Sequence, residues 1–356
     1  MRDISGSLND ERLSQTLKLE SISYAQLSRR LRDLPPEVTE ALFRNVVQEC
    51  ARGCGFNTVR KTVGRLYLID SSTVSLCLSR YLWADFRKTR AGIKLHLRLA
   101  FHDGEVLPDK AVVTPARQAD KSQMEALIVE EPDALNVFDR GYVDYTLFDR
   151  YCANDIRFAT RLKGNAVIEV ISEHSTDPTS LVKKDQIVFL GTDGINKMEH
   201  PLRLVKTEDT EGNPIIILTN DFRLSATEIS DIYRYRLQIE LFFKWIKQYL
   251  RVKHFYGLSP RAVENQLFIA LITYCLLLLL KAKTGFQGPL LTIKRHLITC
   301  LYDPFTTFVR KLYRKFGPRT KGRRRMDHEA IFQETVRQVI AREADHLSDL
   351  TYDPLV

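Results

Sequence analysis

Six cysteines are scattered through the 356 residues (Cys50, Cys54, Cys77, Cys152, Cys275, Cys300), with no repeated CxxC pair. That argues against both a disulfide framework and a structural zinc site, and fits a reducing compartment. Cys50 and Cys54 stand one helical turn apart with no histidine pair nearby, so they do not read as zinc ligands. The eight histidines show no HxxxH or HxH spacing, and read as structural or surface groups. The opening MRDISGSLNDERL has no apolar core, so no signal peptide is expected. The longest apolar run, residues 267–280, contains Thr273 and Tyr274 and falls short of the ~20 residues of a membrane span. It reads as a buried core helix. With 44% hydrophobic and 27% charged residues, disorder is excluded for most of the chain. What the chain has in excess is positive charge. Lys and Arg number 53 against 44 Asp and Glu, for a net +9, which favours a polyanionic partner. A cytoplasmic protein with no membrane partner is expected.

The first 64 residues read as helical. Residues 23–31 form one short helix, which Pro35 and Pro36 stop; Pro36 then opens a second, to about residue 51. Strand signals follow at 66–69, 74–78, 95–101, 111–114 and 135–138. Residues 165–222 differ. Short β-rich pieces broken by Gly191-Thr-Asp-Gly194 and Glu211-Gly-Asn-Pro214 predict an antiparallel module inserted before the next helix. One long helix is expected from Ala226 to about residue 252, with Ser225 and Glu228 as its capping box, and another from 259 to about 283. The domains expected are a helical region 1–64 that serves DNA binding, a core in two parts (65–164 and 223–285), the β-rich insertion 165–222, and a helical region 286–356. The last region holds a basic block over 308–325 and an acidic tail. Such a block is a solvated face or a phosphate-binding strip.

Two apolar strands run into an acid: LYLID ends at Asp70 and NVFD at Asp139. A carboxylate after an apolar strand is costly if buried unpaired, so it faces solvent, a partner or a metal. Taken singly, such an aspartate is more often a turn initiator. A third acid lies in YRYRLQIELFFKWIK, residues 233–247. At ~100° per residue, Tyr233, Arg236, Glu240 and Lys247 fall within about 60° of one another, with Lys244 beside them. Alone, this stripe reads equally as an ordinary charge-paired surface containing an i,i+4 pair.

The spacing Tyr-x2-Arg-x3-Glu-x6-Lys, met by Tyr233, Arg236, Glu240 and Lys247, resembles the YREK signature of the insertion-sequence-4 family of DDE transposases. The text IELFFKWIKQYLRVKHFYG around it resembles that family too, as do IDSST (69–73), FDRGY (138–142) and the 158–163 segment that carries Arg161 and Lys163. The likeness runs from about residue 20 to about 283. One departure is visible: many relatives carry a His-Asp pair where this chain has Ala119-Asp120. The resemblance implies an α/β, ribonuclease-H-like fold, with a mixed five-stranded sheet and helices on both faces. It implies that Asp70, Asp139 and Glu240 are catalytic and hold two Mg²⁺ or Mn²⁺ ions, a hard cation being the partner of oxygen-only ligands. It further implies that Tyr233, Arg236 and Lys247 hold phosphates of the element's terminal repeats, with Lys244, Arg161 and Lys163 as further DNA contacts. The expected function is that of an insertion-sequence transposase, acting as a homodimer on element ends and target DNA in a bacterial cytoplasm. A catalytically silent DNA-binding relic and a nuclease that only hydrolyses are the alternatives. The segment with Arg87, Lys88, Arg90, Lys94 and Arg98, and Arg157 near the insertion, are weaker candidates for tracking DNA backbone. Trp83 and Trp245, the only tryptophans, both lie outside the insertion. No aromatic wedge is assigned there, and Trp245 reads as a core residue.

Overall fold

The structure, a computed structural model, describes residues 2–18, 21–58, 63–87, 90–162, 164–176, 180–208, 212–250, 252, 254–314 and 328–341. Its strands are β1 (Arg65–Leu76), β2 (Asp85–Arg87), β3 (Arg90–His102), β4 (Glu105–Pro115), β5 (Ala134–Phe138), β6 (Arg157–Arg161), β7 (Ile168–His174), β8 (Val182–Leu190), β9 (Leu202–Glu208) and β10 (Pro214–Thr219). The helices are α1 (Arg2–Leu8), α2 (Glu11–Leu17), α3 (Tyr24–Asp33), α4 (Pro36–Gly53), α5 (Met124–Leu127), α6 (Tyr145–Ala153), α7 (Ala226–Arg234), α8 (Leu237–Tyr249), α9 (Pro260–Thr284), α10 (Leu290–Thr299), α11 (Phe305–Leu312) and α12 (His328–Ile340). Residues 1–308 form one compact unit and 309–356 a second, of which α12 is the main described element. Of the basic block, Lys315, Arg319, Lys321, Arg323, Arg324 and Arg325 lie outside the described residues, as do Lys88, Lys163 and the acidic tail beyond residue 341.

All ten strands join one mixed sheet, in the order β2-β3-β1-β5-β6-β10-β9-β8-β7, with β4 also paired to β3. Only the β1–β5 and β5–β6 pairs are parallel. The β-rich insertion is antiparallel, but it does not stand apart from a five-stranded core. Its last strand, β10, pairs with β6 from Leu218↔Thr160 outward and extends the sheet. Pairing across some 60 residues leaves no local mark in the sequence.

Side-chain alternation along these strands builds two cores, one on each face. Leu66, Leu68, Leu97, Leu99, Leu135 and Val137 pack with α4, α7, α8 and α9. Ile69, Phe138 and Phe158 pack with α5 and α6. The longest helix, α9, is held at its start by Ser259, whose hydroxyl accepts from the Ala262 amide, and ends at Gly285 in the left-handed conformation (φ 68°). It is long and apolar enough to cross a membrane, yet 67% of its most apolar window is buried in the protein, so it is a core helix. Asn265 on α9 donates to the carbonyls of Leu31 and Leu34 and accepts from Thr39, pinning the α3–α4 corner.

Two local expectations need correction. β1 does not end at Asp70. It continues through the polar SSTVS run to Leu76, because β3 pairs with it along its whole length, Asp70 lying opposite Leu97. The helix expected over 226–252 is broken in two. Its capping box is present at Ser225 and Glu228, but at Tyr235 and Arg236 the chain tightens into i→i−3 bonds (Tyr235 to Ile232, Arg236 to Tyr233). α8 restarts at Leu237.

Candidate active site

Parallel pairing of β1 with β5 in the register Ile69↔Phe138 makes Asp70 and Asp139 the next residues along two neighbouring strands. Asp139 keeps extended geometry (φ −85°, ψ 165°), so the alternation continues past Val137. It places Asp139 on the same face as Asp70, the face covered by α8. Gly64 fixes this register: with φ +79° its Cα lies so close to the Asp133 carbonyl that any Cβ would clash, and Arg65 donates its amide to that same carbonyl at 2.8 Å. Asp139 opens on a recess of about 420 Å³ lined also by Arg140, Gly141, Gly164 and Asn165.

The link to the third acid is Arg236, at the break between α7 and α8. Its Nη1 lies 3.3 Å from Asp70 Oδ2 and its Nη2 lies 2.6 Å from Glu240 Oε1. Burial opposes the charge on Arg236, but the surrounding groups, Asp139, Glu240 and Asp70 among them, outweigh it and raise its pKa. Asp70, with 19% of its side chain exposed, is pushed up to about 6. Burial is the main cause; the Ser71 amide and Arg236 oppose it, while Asp139 and Glu240 add to it. Its two oxygens face different ways: Oδ1 accepts from the Ser71 amide at 2.7 Å and Oδ2 faces Arg236. Glu240 is the most open of the three, 48% exposed.

Arg236 thus joins Asp70 to Glu240, while Asp139 follows the neighbouring strand and opens on a recess that neither of the other two acids lines. Among the described residues, no group of three or more His, Cys, Asp or Glu is close enough to hold one ion together. Where the resemblance implies joint ligation by the three acids, a guanidinium stands between Asp70 and Glu240, as repulsion between like charges favours. As a donor set, however, oxygen-only carboxylates carrying excess negative charge in a part-buried site suit a hard divalent cation.

Several expected DNA contacts sit elsewhere. Tyr233 is 5% exposed, its hydroxyl buried and unpartnered, and burial pushes its pKa up to about 12. It lies beneath the Arg236 guanidinium, 6.0 Å from ring centroid to Cζ, and does not present its hydroxyl to a phosphate. Lys247 bonds β1, reaching Ser72 Oγ at 2.5 Å and the Thr73 carbonyl at 3.1 Å. Lys94 pairs with Asp120 at 3.0 Å, Arg98 with Asp109 at 2.9 Å, and buried Arg157 with Asp221. These three cations are spent inside the fold. Lys244 is exposed on α8 and Arg161 is half-buried at the end of β6. Asp120, Tyr142 and His96, given no role from sequence, gather behind the acids. The only local signal for them is the polar alternation Lys94, His96, Arg98 on an otherwise apolar strand.

The chain matches the "Transposase DDE domain" family model over residues 61–276, a span that includes Asp70, Asp139 and Glu240. It is 32% identical, over 76% of this chain and 70% of the relative, to the "Probable transposase for insertion sequence element IS5377" of Geobacillus stearothermophilus. It is 31% identical, over 69% of each chain, to the "Putative transposase y4zB" of Sinorhizobium fredii. With the "Putative transposase for insertion sequence element IS4SA" of Synechocystis it shares 23% identity over 60% of each chain. A partial structural likeness to piggyBac transposase in a synaptic complex with hairpin DNA, with a TM-score of 0.40 at 12% identity over 90% of this chain and 67% of the other, is too weak to bear on function. From a family model spanning more than half its length and relatives matched over more than two thirds of theirs, the chain belongs to the DDE transposases of insertion sequences, of the insertion-sequence-4 type.

Proposed function

We propose that this transposase cuts at the ends of its element and joins the freed 3′-hydroxyls to target DNA, with Asp70, Asp139 and Glu240 as its catalytic carboxylates. The observation that carries the reading is Arg236 bridging Asp70 and Glu240 across 170 residues of sequence, with Asp139 on the neighbouring parallel strand. The strand order β4-β3-β1-β5-β6, with helices on both faces, supports a ribonuclease-H-like core. Asp70, Asp139 and Glu240 would hold two Mg²⁺ or Mn²⁺ ions, which when bound supply Lewis-acid activation of the attacking and leaving oxygens.

The protein's own groups do the rest. The Ser71 amide orients Asp70 by its inner oxygen and leaves the outer one toward the cleft. Arg236, whose planar fork suits a phosphate as well as a carboxylate, neutralises the acids and takes a backbone phosphate of the element end. Tyr233 supports it from below, and Lys247 locks α8 to β1 so that Glu240 stays opposite Asp70. Exposed Lys244 and half-buried Arg161 meet the approaching DNA, and the family resemblance adds Lys163 to them. Holding two ends together calls for a homodimer on DNA, in the bacterial cytoplasm at the nucleoid.

Labelled terminal-repeat DNA incubated with Mg²⁺ tests this. Joined product is expected from the wild type, and none from Asp70→Ala, Asp139→Ala or Glu240→Ala, each of which still shifts the DNA on a gel. Cut product alone would indicate a nuclease, a bound but uncut complex a silent relic, and full activity in a variant would remove that residue from the set.

A further inference from the structure

Asp120 follows β4 and stands on the far side of the sheet from α8. Ser71, next after Asp70, points to that far face, and its hydroxyl donates to Asp120 Oδ1 at 2.6 Å. Lys94 Nζ lies 3.0 Å from the same oxygen and His96 Nδ1 3.7 Å. Both come from β3, where His96 is directly opposite Ser71 and Lys94 opposite Thr73. His96 Nε2 in turn meets Thr114 Oγ1 on β4 at 2.9 Å. The other carboxylate oxygen of Asp120 reaches the second acid-bearing segment: a Cβ placed on Gly141, two residues after Asp139, would be 3.6 Å from Asp120 Oδ2. Beside it, Tyr142 is 1% exposed with its hydroxyl unpartnered, and the fully buried His96 Nδ1 has no hydrogen bond. A buried donor without a partner is unfavourable. The Tyr142 hydroxyl is such a donor, and with the unbonded His96 ring nitrogen beside the same carboxylate it marks this pocket as a place where structure is spent on something other than stability.

We propose that Asp120 is a positioning residue: from behind the sheet it holds Ser71, next to Asp70, by a hydrogen bond and packs against the Asp139–Gly141 turn, so setting the spacing of the two aspartates. The coupling to Asp70 runs through a single residue. Asp120 fixes the Ser71 side chain, and the Ser71 amide grips Asp70 Oδ1, so the outer oxygen is aimed by a bond made on the opposite face. Lys94 neutralises Asp120 and keeps it from adding its charge to the cleft. This rests on the reading of Asp70 and Asp139 as metal ligands, and the test separates the two.

The test is Mn²⁺ uptake by the full-length chain, read from the electron paramagnetic signal of the free ion, with thermal melting in chelator alongside. Ser71→Ala and Asp120→Ala are expected to weaken Mn²⁺ binding by about 10-fold, as for outer partners of ligating carboxylates. The double variant falls no further than Asp120→Ala alone, and Ser71→Thr, which keeps the hydroxyl, binds as wild type does. Melting of Ser71→Ala stays within about 4 °C of wild type. Wild-type affinity in both alanine variants overturns the proposal. So does a weak, poorly folded Asp120→Ala beside a normal Ser71→Ala, which would make Asp120 purely structural. Absence of Mn²⁺ uptake by the wild type, or normal uptake by Asp70→Ala, would instead sink the metal reading, and this one with it.

Discussion

Replacing Asp70 by asparagine should make the metal-free protein more stable while abolishing its chemistry. Asparagine keeps the shape of the side chain and an acceptor for the Ser71 amide, and removes only the charge. That charge is disfavoured where it sits: raising the carboxyl from its ordinary 3.8 to about 6 costs the ionised form about 3 kcal/mol. The figure already includes the help of Arg236, so the net gain expected for Asp70→Asn at pH 7.5 is about 1–3 kcal/mol. The sign with pH follows from proton binding. Between about pH 4 and 6 the folded chain holds a proton on Asp70 that the unfolded chain has released, so the stability this group contributes is full below pH 4, falls through that window and levels off above it. Asp70→Asn lacks this slope. Urea denaturation in chelator at pH 4.5 and pH 7.5 measures both effects, and adding Mg²⁺ at pH 7.5 should restore the wild type but not the variant. An asparagine variant no more stable than wild type at pH 7.5, or a difference equal at the two pH values, would refute the electrostatic account of the site.

Tyr233→Phe deletes a buried hydroxyl that has no partner. It should leave stability unchanged or raise it by about 1 kcal/mol, and change affinity for element-end DNA less than twofold in a gel-shift titration. A large loss of affinity would show that the hydroxyl reaches a phosphate after all. Asp221→Ala strands the buried guanidinium of Arg157 and removes the acceptor of the Arg223 and Leu224 amides. A loss of about 3–5 kcal/mol in denaturant titration is expected, and a loss below ~1 kcal/mol would contradict the burial seen for this pair.

The sequence made the acid-bearing strands legible because each is an apolar run that meets one carboxylate. The capping box at Ser225 and Glu228 was equally local, and the helix starts where that signal lies. Other features depended on partners distant in the chain. The Ser71–Thr73 stretch between two strand signals has no strand pattern of its own, and becomes strand because β3 pairs with it. The break at Tyr235–Arg236 contains neither glycine nor proline, so a continuous helical wheel put Tyr233 on the Arg236 stripe, where the tightened turn buries it instead. Lys94, Arg98 and Arg157 looked like open cations because their acids, Asp120, Asp109 and Asp221, lie 11 to 64 residues away. Asp120 itself is an unremarkable loop aspartate until the fold brings Ser71 and Gly141 to its two oxygens.

The central claim, that the carboxylates work by holding metal beside the scissile phosphate, is tested most directly by changing a ligand's softness. Asp139→Cys replaces oxygen with sulfur, which binds Mg²⁺ poorly and softer ions better. On terminal-repeat DNA this variant should bind normally, fail to cleave with Mg²⁺, and recover cleavage with Mn²⁺. Wild-type cleavage with Mg²⁺, or a folded, DNA-bound variant inert with both ions, would contradict it.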